Sequence, residues 1–248
     1  MRVILAGALL TGCTDKATDD TGSGTEATNE AVCEEPVDVS CLDDLILDLS
    51  LHDDLVSEGE VSTSTDGDDF ITDVDASAGG YNNATSNAWV YVKFNEDGAE
   101  QVEIDDETAL ESMDWDLAAR RFIVRLNGGN SGPSCVGAAT FLESTYETLT
   151  EIPDGISYNV DDYYTSDCTL INDSSGLPDS PQVALGAWWS YSACVATTGY
   201  PHLIQTADGR VLKLVVEQYY GSGQEDCNES DVAGDSSAEL KFRWRWMN

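Results

Sequence analysis

Only two of the 248 residues are histidine, and only 11 are lysine or arginine against 47 aspartates and glutamates. The shortage of cations argues against a nucleic-acid surface, because phosphate contacts need clustered Lys and Arg. With so little imidazole there is little general-base capacity at neutral pH, and no Ser-His-Asp or Cys-His arrangement has a distinguishing spacing. Carboxylate pairs are so abundant that choosing one for glycosidase chemistry would be arbitrary. There is no P-loop, dinucleotide fingerprint or G-x-S-x-G. No apolar run approaches the ~20 residues that cross a bilayer as a helix. These absences give an enzyme reading little support.

The net charge of -36 is read first as a solvated surface that keeps copies of the chain apart. Calcium is the functional alternative, since carboxylates suit it. Its best loop, Asp66-Gly67-Asp68-Asp69-Phe70-Ile71-Thr72-Asp73, has Phe70 and Ile71 where an EF-hand wants a ligand and its glycine.

The N-terminus is more specific. Met1-Arg2 is a basic start, Val3 to Leu10 is apolar, and Leu10-Thr11-Gly12-Cys13 has the form of a bacterial lipobox. Residues 1–12 therefore read as a lipoprotein signal peptide and Cys13 as the lipidation site, with more than one acyl chain for stable attachment. Thr14 stands where an Asp would favour inner-membrane retention, so the outer membrane is expected, facing the periplasm or the exterior. Residues 13–31 have almost nothing to bury and read as a disordered acidic tether. Residues 32–248 are left for one domain.

Six cysteines remain after lipidation: Cys33, Cys41, Cys135, Cys168, Cys194 and Cys227. In an exported chain an even number predicts up to three disulfides, with fifteen pairings open. Cys33 with Cys41 would form a local clasp and the other four would pair among themselves. Zinc is the rival use, but there is no C-x-x-C and no histidine at ligand spacing.

Periodicity predicts an all-β fold, a single antiparallel-sheet domain with long loops. Strands are expected at Ala88 to Phe94 and Gln101 to Ile104 around the turn Asn95-Glu96-Asp97-Gly98. A second hairpin joins His202–Thr206 to Val211–Tyr220 through Ala207-Asp208-Gly209. At the end of the chain Leu240, Phe242, Trp244 and Trp246 alternate with Lys241, Arg243 and Arg245. The alternation of Leu45, Leu47, Leu49 and Leu51 favours strand over helix there, and Thr108 to Ser112 reads as one helical turn. Between Pro153 and Ser180 long loops are expected, carrying Tyr158, Tyr163 and Tyr164. The stretch from Trp115 to Ser131, WDLAARRFIVRLNGGNS, is central. Trp115, Leu117 and Ala119 have the opposite parity to Phe122, Val124 and Leu126, so a single strand would need a bulge near Arg120 and Arg121.

Trp-Asp-Leu-Ala, an Arg-bearing alternating strand and Asn-Gly-Gly together resemble the core motif of the HmuY family of haem-binding bacterial lipoproteins. Two further segments resemble the family in the same order, LIQTADGRVLKLVVEQYY from Leu203 and LKFRWRW from Leu240. The resemblance implies an all-β fold that grips haem with two axial side chains, histidine or methionine. The cysteines are a departure from it and suggest a stapled variant. By resemblance the function is haem binding, with delivery to an outer-membrane transporter and no catalysis. The alternative is a lipoprotein that keeps the fold but binds protein or glycan.

Haem needs an N or S donor, an apolar cleft and partners for its propionates. His202, opening a strand beside a loop, is the first candidate ligand. His52, among aspartates that favour its protonated form, and Met113 follow. Arg121 and Arg125 are candidate propionate contacts. They belong to a group of six cations, with Arg120, Lys241, Arg243 and Arg245, for which cross-strand pairing with Asp114, Asp116 or Glu239 is the bland alternative.

Overall fold

The computed structural model describes residues 33–177 and 180–247. Residues 1–12, Cys13 and the 13–31 segment, on which the signal, lipid and tether expectations fall, lie outside the described residues. Among the described residues no helix is long and apolar enough to cross a membrane.

The fold is mostly antiparallel β. Twelve strands are described: β1 Val61–Asp66, β2 Asp69–Asp75, β3 Val90–Asn95, β4 Gly98–Val102, β5 Leu117–Arg120, β6 Ile123–Leu126, β7 Gly137–Thr140, β8 Trp189–Tyr191, β9 Val195–Thr197, β10 His202–Gln205, β11 Val211–Tyr220 and β12 Ser237–Met247. A six-stranded sheet runs β1-β2-β12-β11-β10-β7, a four-stranded sheet runs β4-β3-β5-β6, and β8 with β9 forms a small ribbon. Of three short α-helices, α1 Leu42–Asp48 precedes β1, α2 Asp106–Ala109 lies between β4 and β5, and α3 Glu225–Ser230 lies between β11 and β12.

Burying one face of each large sheet against the other makes the main core. Leu240, Phe242 and Trp244 of β12 and Leu212, Leu214 and Val216 of β11 meet Val92 and Phe94 of β3 and Leu117, Val124 and Leu126 of the β5–β6 pair. The expected alternation of the last strand holds, with Leu240, Phe242 and Trp244 fully buried. Burying Trp244 or Phe242 removes enough apolar area to contribute about 2–3 kcal/mol each. Both predicted hairpins form, β3 to β4 and β10 to β11.

Three local expectations change. The central stretch is not one bulged strand. It is a hairpin in which Leu117 pairs with Leu126 and Arg120 with Ile123, so Arg121-Phe122 is a two-residue turn and the parity change is the turn itself. Arg121 takes the left-handed conformation that such a turn requires, with φ 58°. Leu42–Asp48 is a helix, because Leu45 and Leu49, four residues apart, share the buried face, while Leu47 is 76% exposed. The helical turn near Thr108 begins at Asp106, where the Asp105 carboxylate caps the Thr108 N–H at 2.9 Å.

All six cysteines are paired, as Cys33–Cys135, Cys41–Cys168 and Cys194–Cys227. The local Cys33–Cys41 clasp does not form. Both N-terminal cysteines instead reach later loops, 102 and 127 residues away. The first two bridges pin the chain around α1 over the outer face of the four-stranded sheet, where Leu45, Leu49, Trp89, Tyr91, Trp115 and Tyr163 form a second core.

Candidate ligand-binding site

The Arg121-Phe122 turn positions the site. Arg121 donates its backbone N–H to Ala76 O at 2.7 Å, and its guanidinium donates to Ser77 O, Ser237 O and Ser237 Oγ. These bonds fasten the tip of the small sheet to the end of β2 and the start of β12. Phe122 leaves the turn to pack on Trp189, with ring centroids 4.8 Å apart. Opposite it, the β8–β9 ribbon is held by Cys194–Cys227 and by the Val195 N–H donating to Tyr220 Oη at 3.0 Å. The result is an aromatic cleft of about 400 Å³ with Tyr81, Phe122, Tyr191 and Tyr220 in its walls and Arg121 at its side. A second hollow of about 350 Å³ adjoins it, again lined by Tyr81, Arg121 and Phe122.

The candidate donors are elsewhere. His202 does not project towards a loop. It lies on β10 between β11 and β7, on the same face as the core residue Ile204, and is fully buried. Its Nδ1 shares a hydrogen bond with Thr140 Oγ1 at 2.8 Å, and burial lowers its pKa to about 4, so it is neutral. Its Nε2 is buried without a partner among the described residues. His52 is half-buried beside α2, with Nε2 on Thr85 O at 3.2 Å. Met113 is half-buried next to Trp115, and Met247 packs against Leu203 and Val211. None of these four lines the aromatic cleft.

Arg125 is also committed to the fold. It is fully buried, with its guanidinium 4.2 Å from the Trp89 ring and 5.9 Å from Trp115. It donates to Tyr91 Oη at 3.1 Å, and Tyr91 donates to Asp106 Oδ1 at 3.0 Å. Burial raises the Asp106 pKa, and it also works to lower that of Arg125, which Tyr91, Tyr163, Asp106 and Asp161 together more than offset. The strand cations follow the bland alternative, with acidic partners other than those expected. Lys241 pairs with Asp73, Arg243 with Asp66 and Glu217, and Arg245 with Asp69. Asp116 pairs instead with Lys93 at 2.8 Å. The acidic loop at Asp66 is the tight β1–β2 turn, and among the described residues no group of three or more His, Cys, Asp or Glu could hold a metal ion.

The motif residues of the central stretch are structural in this chain. The Asp116 carboxylate accepts the Phe94 N–H, Asn127 donates to Ser112 O and Trp115 O, and Trp115 Nε1 donates to Ala109 O. At Gly129, φ is 64° and a Cβ would sit 2.0 Å from Asp161 O, so only glycine allows this approach. The Asp161 segment, expected to be a loop carrying binding residues, is packed down by that contact. Its carboxylate accepts from Leu126 N, Ala184 N and Ser131 Oγ, and Tyr163 beside it is fully buried.

A family model described as HmuY protein matches residues 85–230, more than half of the chain. The chain belongs to the HmuY family. That match contains the β5–β6 hairpin, Asn127-Gly128-Gly129 and the lining of the aromatic cleft except Tyr81, Ala233, Gly234 and Ser237. Solved structures to which the chain is similar match it at low identity. An HmuY-like protein from Bacteroides vulgatus is 17% identical with a TM-score of 0.44, covering 77% of this chain and 97% of that one. An apo HmuY analogue from Tannerella forsythia is 15% identical with a TM-score of 0.37, covering 79% and 100%. Apo PinO from Porphyromonas gingivitis is 11% identical with a TM-score of 0.37, covering 77% and 97%. A search of curated proteins finds no match. HmuY proteins are binding proteins, and it was the Trp-Asp-Leu-Ala and Asn-Gly-Gly residues that made the family legible. The cleft was missed in sequence because Tyr81, Phe122 and Tyr191 come from three separate segments with no shared motif.

Proposed function

We propose that this HmuY-family chain is an outer-membrane lipoprotein, anchored through Cys13, that captures haem and passes it to an outer-membrane transporter without catalysing a reaction. The observation that carries the proposal is an aromatic cleft with a cation beside it on a fold of this family. Phe122, Tyr191 and Tyr220 would supply flat apolar walls for a macrocycle, and Arg121, the cation lining the same cleft, would supply positive charge for its propionates. Bound haem supplies a ligand-binding iron, and the chain's part is to shape, hold and release it. A net charge of -36 suits a protein that stays apart from its copies.

The test is titration of the full chain with haemin, followed by absorption. Saturable 1:1 binding that weakens in Phe122→Ala supports the reading, and spectra that stay those of free haemin overturn it. A second reading, a protein- or glycan-binding member of the family, is favoured by the commitment of His202 to the sheet interior and of Arg125 to the second core. Absence of haem binding with retained folding would select it.

A further inference from the structure

If haem is the ligand, as proposed above, its iron needs a donor, and among the described residues no imidazole or thioether lines the cleft. Oxygen donors are. The chain has ten tyrosines. Tyr91, Tyr146, Tyr163 and Tyr164 are buried with their hydroxyls bonded to Asp106, Asp69, Ser131 and Asp48. Only Tyr81 and Tyr191 are exposed, at 69% and 45%, and they are the only exposed aromatic side chains among the described residues. Both line the same cleft.

That coincidence runs against the hydrophobic effect. A large ring in water loses the benefit of burial that the other aromatics of this chain obtain, so two such rings facing one hollow are better explained by a ligand than by folding. Tyr81 is the better placed of the two. It lines both hollows that flank the Arg121-Phe122 turn, whereas Tyr191 lines only one of them. Tyr81 opens a short 3-10 helix directly after Gly79-Gly80, both with positive φ, so the chain turns sharply to present it. Arg121 lines both hollows with Tyr81, has a buried Nε without a partner among the described residues, and is the one cation lining the aromatic cleft.

We propose that Tyr81 is the axial donor to ferric haem in this chain, through its phenolate oxygen, in place of the histidine or methionine that the family resemblance implies. Phenolate is one of the protein donors that hold haem iron. On binding, the Tyr81 Oη–Fe bond forms, the phenolic proton leaves to solvent, and any water on the iron is displaced. No electron is transferred. Arg121 opposes the negative charge of the phenolate and the propionates.

The experiment is haemin titration of the full chain and of Tyr81→Phe, Tyr191→Phe, and the double variant His52→Ala/Met113→Leu. Absorption and resonance Raman spectra are recorded alongside thermal unfolding of each apo protein. The expected result is a high-spin ferric spectrum with phenolate-to-iron charge transfer and enhanced tyrosine modes. In Tyr81→Phe these features are lost and affinity falls at least about tenfold. They persist in Tyr191→Phe and in the double variant, with unfolding unchanged in Tyr81→Phe. A low-spin spectrum that survives Tyr81→Phe and is lost in the double variant overturns the Tyr81 assignment while leaving haem binding intact. So does loss of charge transfer in Tyr191→Phe alone. Absence of saturable binding in the unmodified chain overturns the haem reading itself, and the donor assignment with it.

Discussion

The two ends of the β5–β6 hairpin are built on opposite terms. At the strand end away from the turn, around Trp115, Arg125, Asn127 and Asp161, nearly everything is buried and polar groups are bonded across segments that are distant in sequence. At the turn, Phe122 and its neighbours Tyr81 and Tyr191 leave apolar rings partly or largely in water around a hollow. The first end is a lock and the second is a mouth. A residue that looks functional by its charge, such as Arg125, belongs to the lock, while residues of ordinary type belong to the mouth.

The contrast predicts the largest effects at the locked end. Replacing Cys41 and Cys168 together by serine releases a loop of 127 residues under α1, at a cost of about 4–5 kcal/mol by loop entropy. Urea unfolding under non-reducing conditions measures it, and a change below ~1 kcal/mol would show that this bridge does not hold the second core. Asp161→Ala leaves two buried N–H groups and the Ser131 hydroxyl without their acceptor, and a loss of about 3–4 kcal/mol is expected in the same measurement.

His202 sharpens the comparison by pH. Its folded pKa is depressed from 6.5 to about 4 by burial, so the folded state resists protonation more than the unfolded chain does. The stability this contributes is fully present above pH 6.5 and is lost as pH falls towards 4, amounting to about 3 kcal/mol across that window. The difference between the unmodified chain and His202→Gln, followed from pH 7.5 to about 4.5 by urea unfolding, isolates it from the many carboxylates. If the two curves run parallel, the imidazole is not protected by the core as its burial implies.

The smallest effect belongs to the mouth. Tyr191→Ala removes a ring that is 45% exposed, and apo stability is expected to stay within about 0.5 kcal/mol. A loss of ~2 kcal/mol would mean that the exposed tyrosines serve folding and would erase the distinction between the two ends.

Strands with strict alternation, such as Leu240 to Trp244, were legible in the sequence, as were the Ala207-Asp208-Gly209 and Asn95-Glu96-Asp97-Gly98 turns. In each case the signal lies within a few consecutive residues. The helix at Leu42–Asp48 was not, because leucines two apart imitate a strand when only two of them are buried. The turn at Arg121-Phe122 was read as a bulge because a bulge and a two-residue turn produce the same change of parity, and neither residue advertises a left-handed conformation. Strands β1 and β2, of mostly polar sequence, owe their place to pairing with β12 and gave no apolar period to read.

By itself the sequence determined the all-β class, the HmuY resemblance, and six cysteines, Cys33, Cys41, Cys135, Cys168, Cys194 and Cys227, read as disulfide-forming. These follow from local periodicity, short motifs and composition. The tertiary structure alone decided which cysteines pair, that His202 and Arg125 face inward, and that Tyr81, Phe122 and Tyr191 meet around one hollow. Each of those is a matter of contact between segments far apart in the chain, and contact is fixed by how the two sheets pack.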